Sequence, residues 1–150
     1  MPYMRIDRLT GTYAPTGTGS TNLAIITAAV PTGITAKGNN RRLIGFSCTV
    51  TKKGGGSGTI SFGSTGGSAA SIMATTDVAC GSAGSLGKKF SATGADLNTG
   101  GNGRLFGAAA SAAVQYLTAT YTIGTDGATN PIVRWVALVM DEETFQDLTD

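Results

Sequence analysis

Residues 113–140, AVQYLTATYTIGTDGATNPIVRWVALVM, contain two β-strand patterns separated by a turn-rich loop. In the first, apolar residues alternate with threonines in a run rich in β-branched and aromatic side chains, which is typical of a strand with one buried face. The loop contains an Asp-Gly pair at 126–127 and an Asn-Pro pair at 130–131, and both pairs favour turns. We therefore predict an antiparallel hairpin, with strands at about 113–124 and 131–140.

The second strand of this pair is apolar on both faces. Val133 and Trp135 alternate with Ile132 and Val136, and Arg134 is the one charged residue among them. Such a strand is expected at the centre of a sheet, or beneath a neighbouring subunit. Its tryptophan is expected in the core.

Similar short runs occur in the rest of the chain. Further strands are predicted at 22–30, 42–51, 58–63 and 86–92, and 4–13 alternates weakly. Within 43–50 the apolar residues change face, so we expect a bulge or burial on both sides. The alanines of 107–117 favour a helix by propensity, but the alternation that follows favours a strand. Short strands between Gly/Thr-rich loops predict an all-β, single-domain antiparallel β-sandwich or jelly roll over 1–150.

The most glycine-rich stretch, KKGGGSGTISFGSTGGS at 52–68, suggests a linker or a phosphate-binding loop. Strands are predicted on both sides of it, and the part before it has too few of them to form a core. It also lacks the P-loop and dinucleotide-binding patterns. We interpret it as two turns around one short strand of a single domain, with glycines that relax the backbone at the loops.

Charge is sparse and unevenly distributed. Charged residues make up 13% of the 150 residues. Residues 141–150 hold five acids and no base, so the tail carries −5 and the rest of the chain +7. The bases form no stripe with interleaved aromatic residues, so we interpret them as solubilising groups and predict no specific nucleic-acid partner. Residues 1–10 and 141–150 are the candidate arms.

The cellular context is inferred from the termini and the cysteines. The start, MPYMRIDRLTG, has no signal-peptide pattern. The longest apolar run, 132–140, is too short to span a bilayer. We expect synthesis in the cytoplasm, no membrane contact, and reduced, buried thiols at Cys48 and Cys80.

The residues that usually carry catalysis are scarce. The chain has no histidine, and only four acids lie outside the tail, each in or beside a predicted loop or strand end. Serine or cysteine triads and zinc sites are therefore not expected, and no carboxylate pair has local support. We predict no catalytic, cofactor-binding or metal-binding residue, no cofactor, and no enzymatic activity. Tyr116, on the threonine-rich face of its strand, is the best candidate for an exposed ring.

The chain resembles the jelly-roll decoration (cement) proteins of tailed bacteriophage capsids. The resemblance lies in the segments of 113–140, in the loop sequence GGGSGTISFGSTGGSAAS at 54–71, and in a start at MPYMRID. It implies a virion structural protein on the capsid exterior that clamps neighbouring capsomers, with the major capsid protein as partner and a homotrimer as the favoured assembly. The residues expected at an interface are Arg5, Arg8, Tyr116, Arg134, Asp141, Glu142 and Glu143. The alternative is a receptor- or carbohydrate-binding β module, such as a fibre tip.

Overall fold

The structure is a computed structural model. It describes residues 6–27, 41–64, 72–78, 80–81, 86–87, 89–92, 105–106, 115–124 and 129–141. Within these ranges the regular elements are all β-strands: β1 Ile6–Tyr13, β2 Gly19–Thr27, β3 Arg41–Lys52, β4 Thr59–Ser64, β5 Met73–Val78, β6 Lys89–Ala92, β7 Leu105–Phe106, β8 Gln115–Thr122 and β9 Ile132–Asp141. The described part of the chain contains no helix that could cross a membrane.

The strands form two antiparallel sheets that pack as a sandwich. Sheet A has the order β1-β9-β3-β6, with β7 also paired to β3, and sheet B has the order β2-β8-β4-β5. Their buried faces share one apolar core. Phe46 of sheet A and Phe62 of sheet B pack with ring centroids 4.7 Å apart, and the sulfurs of Cys48 and Met73 lie 3.9 Å apart across the same space. The all-β sandwich prediction is confirmed.

The pairing of the strands is nested. The outermost pair along the chain is β1 with β9, and inside it lie β2 with β8, β3 with β6, and β4 with β5. The chain therefore doubles back once, between β4 and β5, so that strands before this point pair with strands after it. Successive pairs of strands lie alternately in sheet A and in sheet B. As a result, elements that follow one another in sequence often lie in different sheets.

The predicted C-terminal hairpin is wrong for this reason. β8 pairs with β2 and β4 in sheet B, whereas β9 pairs with β1 and β3 in sheet A. The nine residues 123–131 that connect the two strands are long enough to cross the roughly 10 Å between packed sheets. Alternation determines which face of a strand is buried, but it does not determine the partner. The face assignments are confirmed: Leu117 and Tyr121 are buried on one strand, and Trp135 on the other.

Other predictions about the strands are also confirmed. β9 lies in the interior of sheet A between β1 and β3. The bulge expected in 43–50 occurs between Leu43 and Gly45, where the register with β9 shifts. β5 and β7 were not predicted. β6 covers only the second half of 86–92. Residues 1–5, 107–114 and 142–150 lie outside the described residues.

The first glycine-rich turn is closely packed. Between β3 and β4, the Gly54 amide donates to the Cys80 carbonyl at 3.0 Å and the Gly55 amide donates to the Thr129 carbonyl at 2.8 Å. A methyl group on Gly81 would overlap the carbonyl oxygens of Gly55 and Gly56. The expectation that these glycines relax the loop is therefore wrong for 53–58, where they allow backbone segments to approach each other. The turn expected after Ser64 lies outside the described residues.

Candidate functional site: the outer face of sheet A

The side of sheet A that points away from the core forms an open trough of about 490 Å³, and most of the residues that line it are of polar types. We refer to it as the A face. Strand alternation places on it Arg8, Thr10 and Thr12 from β1, Arg134 and Val136 from β9, and Ser47, Thr49 and Thr51 from β3. The corresponding side of sheet B is less open, because Ser61 and Thr118 are only 2% and 9% exposed there. Among the described residues, the middle of the A face is therefore more open than the middle of the outer side of sheet B.

The positive charge of the A face comes from four strands or strand ends. Arg134 lies opposite Thr49, and Thr49 lies opposite Lys89 on β6, so Arg134 and Lys89 are separated by two strand spacings, or about 10 Å. Lys52 pairs with Ile132 at the same end of the sheet. Arg8 lies opposite Leu138, four residues from Arg134 on β9, or roughly 13 Å along the strand.

No described carboxylate offsets these cations on the A face. Asp7 belongs to β1 but alternates to the side opposite Arg8, together with Leu9 and Gly11. The side chains of Arg8, Lys52, Lys89 and Arg134 are all exposed. The surface between them is lined by serine and threonine hydroxyls. Such a surface suits a negatively charged partner that accepts hydrogen bonds.

The opposite end of the A face carries exposed apolar side chains around Arg8, which lies opposite Leu138. Leu138 packs over Gly45, where an added Cβ would lie 3.4 Å from its Cδ1. Ile6 remains 42% exposed, and Ile44 and Leu138 each remain 36% exposed. The face therefore combines cations and hydroxyl groups with a few exposed apolar side chains at one end.

Only some of the predicted interface residues come together. Arg8 and Arg134 share the A face, whereas Tyr116 lies on the outer side of sheet B, half-buried and paired with the exposed Ile25. Asp141 is the last residue of β9. Arg5, Glu142 and Glu143 lie outside the described residues. Sequence reasoning missed Lys52 and Lys89 as members of the face, because it interpreted all the bases as solubilising groups.

Trp135 is 3% exposed and lies in the core, as predicted. Its indole rests against β1 at Gly11, where an added Cβ would be 2.7 Å from the indole Cζ2. The indole Nε1–H is buried without a hydrogen-bond partner. Beside it, a cleft of about 460 Å³ opens between β1 and β2, with four threonines and Asn22 among its lining residues. Because the ring is buried, it cannot serve as a stacking platform for a sugar.

The two thiols are buried, form no disulfide with each other, and are unreactive. Desolvation, reinforced by the nearby Cys80, raises the pKa of Cys48 to about 12. Desolvation also raises the pKa of Cys80 to about 11, and its Sγ donates to the Gly58 carbonyl at 3.1 Å. The two therefore remain protonated at neutral pH and are poor nucleophiles. The described residues contain no group of three His, Cys, Asp or Glu side chains that could hold a metal ion.

No protein-family model matches the sequence, and a search of curated proteins finds no match. Among solved structures, the fold is similar to that of a chain in the "Cyanophage Pam1 capsid asymmetric unit". The TM-score is 0.59 and the sequence identity is 14%, and the match covers 91% of this chain and 85% of that chain. At this identity the similarity is one of fold.

Proposed function

We propose that the protein is a non-enzymatic structural component of a bacteriophage virion, and more specifically a decoration (cement) protein of the capsid. The observation that carries this proposal is the similarity of fold to a chain of a phage capsid, which extends over nearly the whole length of both chains. Fold alone does not define function. The surfaces of this chain supply the second line of support.

These surfaces suit broad contact with other proteins. Charged residues make up 13% of the chain, and among the described residues the outer side of sheet A forms an open trough and not an enclosed pocket. A protein that stabilises a shell acts through the area it buries against its neighbours, and it needs no catalytic group. The nested strand order, β1-β9-β3-β6 over β2-β8-β4-β5, also supports a jelly roll, an architecture common in viral capsids.

In this role the partner is the major capsid protein, and the protein lies on the outside of the head as a homo-oligomer, with a trimer favoured. The interface draws on Arg8 and Arg134 of the A face, on Tyr116 beside Ile25 on the other sheet, and on the terminal segments that contain Arg5 and 141–143. Contacts on opposite sides of the sandwich allow one molecule to join two neighbours. Joining neighbours is the geometric requirement for a clamp.

The test combines solution mass with binding to heads. Light scattering of the purified protein should give a closed oligomer. Sedimentation with heads assembled from the major capsid protein of the same genome should give saturable binding that raises the melting temperature of the heads. A strict monomer that does not bind heads or stabilise them would overturn the proposal.

A glycan-binding module is the second candidate, and one observation favours it. The residues that line the cleft between β1 and β2 include Thr10, Thr12, Thr16, Thr21 and Asn22, and side chains of these types hydrogen-bond neutral sugars. The buried Trp135 weakens this alternative. Thermal stabilisation by one class of saccharide, lost in Asn22→Ala, would support it, and an unchanged melting temperature across a saccharide panel would count against it.

A further inference from the structure

We propose that a cluster of three cations on the A face docks onto an acidic, carboxylate-bearing surface of the major capsid protein. Lys52, Lys89 and Arg134 form this cluster, and all three side chains are exposed. Because the head is the partner only if the protein is a capsid component, this surface assignment rests on the proposed function. It adds to that function the residues that meet the head and the chemistry of the surface they meet.

The three cations surround one threonine. Arg134 lies opposite Thr49 on β9, and Lys89 lies opposite it on β6, so these two bases are about 10 Å apart with the threonine between them. Lys52 lies opposite Ile132, two residues from Arg134, and is therefore about 8 Å from each of the other two bases. Lysine and arginine side chains are long enough to converge from these positions on one anionic group above Thr49.

Backbone contacts hold these bases in position. The register of β3 with β9 shifts between Val50 and Lys52, and at this bulge the Thr51 hydroxyl donates to the Ile132 carbonyl at 3.1 Å. Before β6, the Gly87 amide donates to the Val50 carbonyl at 2.7 Å, and Gly87 has a left-handed φ of +77°. Side chains on strands are placed more precisely than side chains on loops. The cluster is therefore arranged before a partner binds.

The charge of the cluster is not offset within the described part of sheet A. The two described acids of this sheet, Asp7 and Asp141, are placed at the ends of β1 and β9 that lie away from Arg134. Asp7 lies opposite Val139, five residues from Arg134 and therefore about 17 Å from it along the strand. Exposed charges more than about 8 Å apart are largely screened at physiological salt. The cluster therefore attracts an anion from outside the sheet.

The arrangement of the charges favours a protein over a nucleic acid. The phosphates of a nucleic acid form a continuous row, and proteins that bind it follow this row with a track of bases. The next described base on the A face is Arg8, roughly 13 Å along the sheet from Arg134. The residues between them, Thr10, Thr12 and Val136, are neutral. A compact group of cations bordered by neutral side chains fits a compact group of carboxylates on a protein surface.

The cluster should act mainly on the rate of association and on the choice of partner. Exposed ion pairs are individually weak and are screened by salt, although the Arg134 guanidinium can bind a carboxylate through paired hydrogen bonds. Complementary charges chiefly accelerate encounter and exclude wrong partners, whereas the neutral remainder of an interface supplies the buried area. We therefore expect strong salt dependence of binding to the head.

The experiment measures binding of the full chain to empty heads assembled from the major capsid protein of the same genome. For the unchanged protein we expect saturable binding that weakens about tenfold between about 50 and about 200 mM salt. Heads whose surface carboxylates have been converted to neutral amides, and which remain intact by electron microscopy, should not bind the protein. Equal binding to amidated and untreated heads would overturn the proposal.

Charge reversal then identifies the cluster. Lys52→Glu, Lys89→Glu and Arg134→Glu should each weaken head binding by at least about tenfold, mainly through slower association. Lys89→Arg, which keeps the charge, should retain binding. Arg8→Glu makes the same change in net charge outside the cluster and should weaken binding by less than about threefold. The three reversals lie on three different strands, so a folding defect in one, detected by urea denaturation, leaves two for the test.

The outcomes separate the docking surface from the proposed function. If the unchanged protein binds heads and the three reversals bind them equally well, or no worse than Arg8→Glu, the cluster is not the docking surface and the proposed function stands. If the unchanged protein does not bind heads, both fail. A labelled single-stranded DNA tests the other class of partner. DNA binding that the three reversals abolish, while head binding is unaffected, would assign the cluster to a phosphate backbone and overturn the proposal.

Discussion

Replacement of Gly124 by alanine should destabilise the protein, because the turn beneath it has no space for a methyl group. Gly124 follows β8 and is buried. An added Cβ would lie 2.6 Å from both the Gly55 carbonyl oxygen and the Gly58 amide nitrogen, and 2.7 Å from the Ser57 amide nitrogen. All three are backbone atoms, so no rotamer change can relieve the overlap. The turn must move as a unit.

The magnitude follows from what that movement would disturb. Overpacking a closely packed site costs about 1–3 kcal/mol. Displacing the turn also weakens the bond from the Gly55 amide to the Thr129 carbonyl, 2.8 Å long, which adds about 1 kcal/mol. The lower entropy of alanine in the unfolded chain offsets about 0.4–1 kcal/mol. The net loss in unfolding free energy for Gly124→Ala is therefore about 2 kcal/mol, or roughly 4–8 °C in melting temperature for a chain of this size.

Urea denaturation followed by tryptophan fluorescence measures this effect, and Gly17→Ala is the matched control. Gly17 is exposed, and no atom lies within 4 Å of the position its Cβ would take. Gly17→Ala should therefore leave stability unchanged or raise it slightly. If Gly124→Ala proves as stable as Gly17→Ala, the turn is free to move, and the conclusion that its glycines serve close packing is wrong.

Three further outcomes are expected. Gly11→Ala should lower the unfolding free energy by about 1–3 kcal/mol and shift the fluorescence of Trp135, because its Cβ would lie 2.7 Å from the indole; an unshifted spectrum with full stability would contradict this. Cys48 and Cys80 should not react with Ellman's reagent at pH 8 until urea unfolds the protein, because burial raises both thiol pKa values; rapid reaction of the folded protein would contradict it. Above pH 9 the thiols of the unfolded chain lose protons that the thiols of the folded protein retain, so the unfolding free energy should fall as pH rises towards 11–12. The fall should be shallower in Cys48→Ala. An equal fall in Cys48→Ala and in the unchanged protein would show that other groups cause it.

Much of the local structure could be predicted from the sequence. Period-two alternation identified the buried face of β8, because a strand exposed to water on one side must alternate, and the apolar residues on both sides of β9 predicted its place in the interior of a sheet. The bulge in β3 was also predictable, since Leu43 and Val50 could not both reach the core without an extra residue between them. In each case a physical rule acts within a single segment and leaves a pattern there.

The pairing of the strands leaves no such local pattern. The turn-forming residues between β8 and β9 fit a hairpin and a crossing between sheets equally well, and the choice depends on β1, more than a hundred residues earlier, which takes the place beside β9. The packing of the glycine-rich turn is likewise determined by residues that lie far from it in the sequence. Its contacts are with Cys80, Gly81 and Thr129, which the sequence separates widely from it.

The same distinction applies to the candidate site. Arg8, Lys52, Lys89 and Arg134 belong to four different strands, and no spacing in the sequence relates them. They form one surface because β9 lies between β1 and β3, and because β6 continues the sheet beyond β3. In the predicted hairpin, β8 would have occupied one place beside β9 and displaced β1 or β3. The cationic face is therefore a consequence of the nested winding, which is why the bases appeared in the sequence only as scattered solubilising groups.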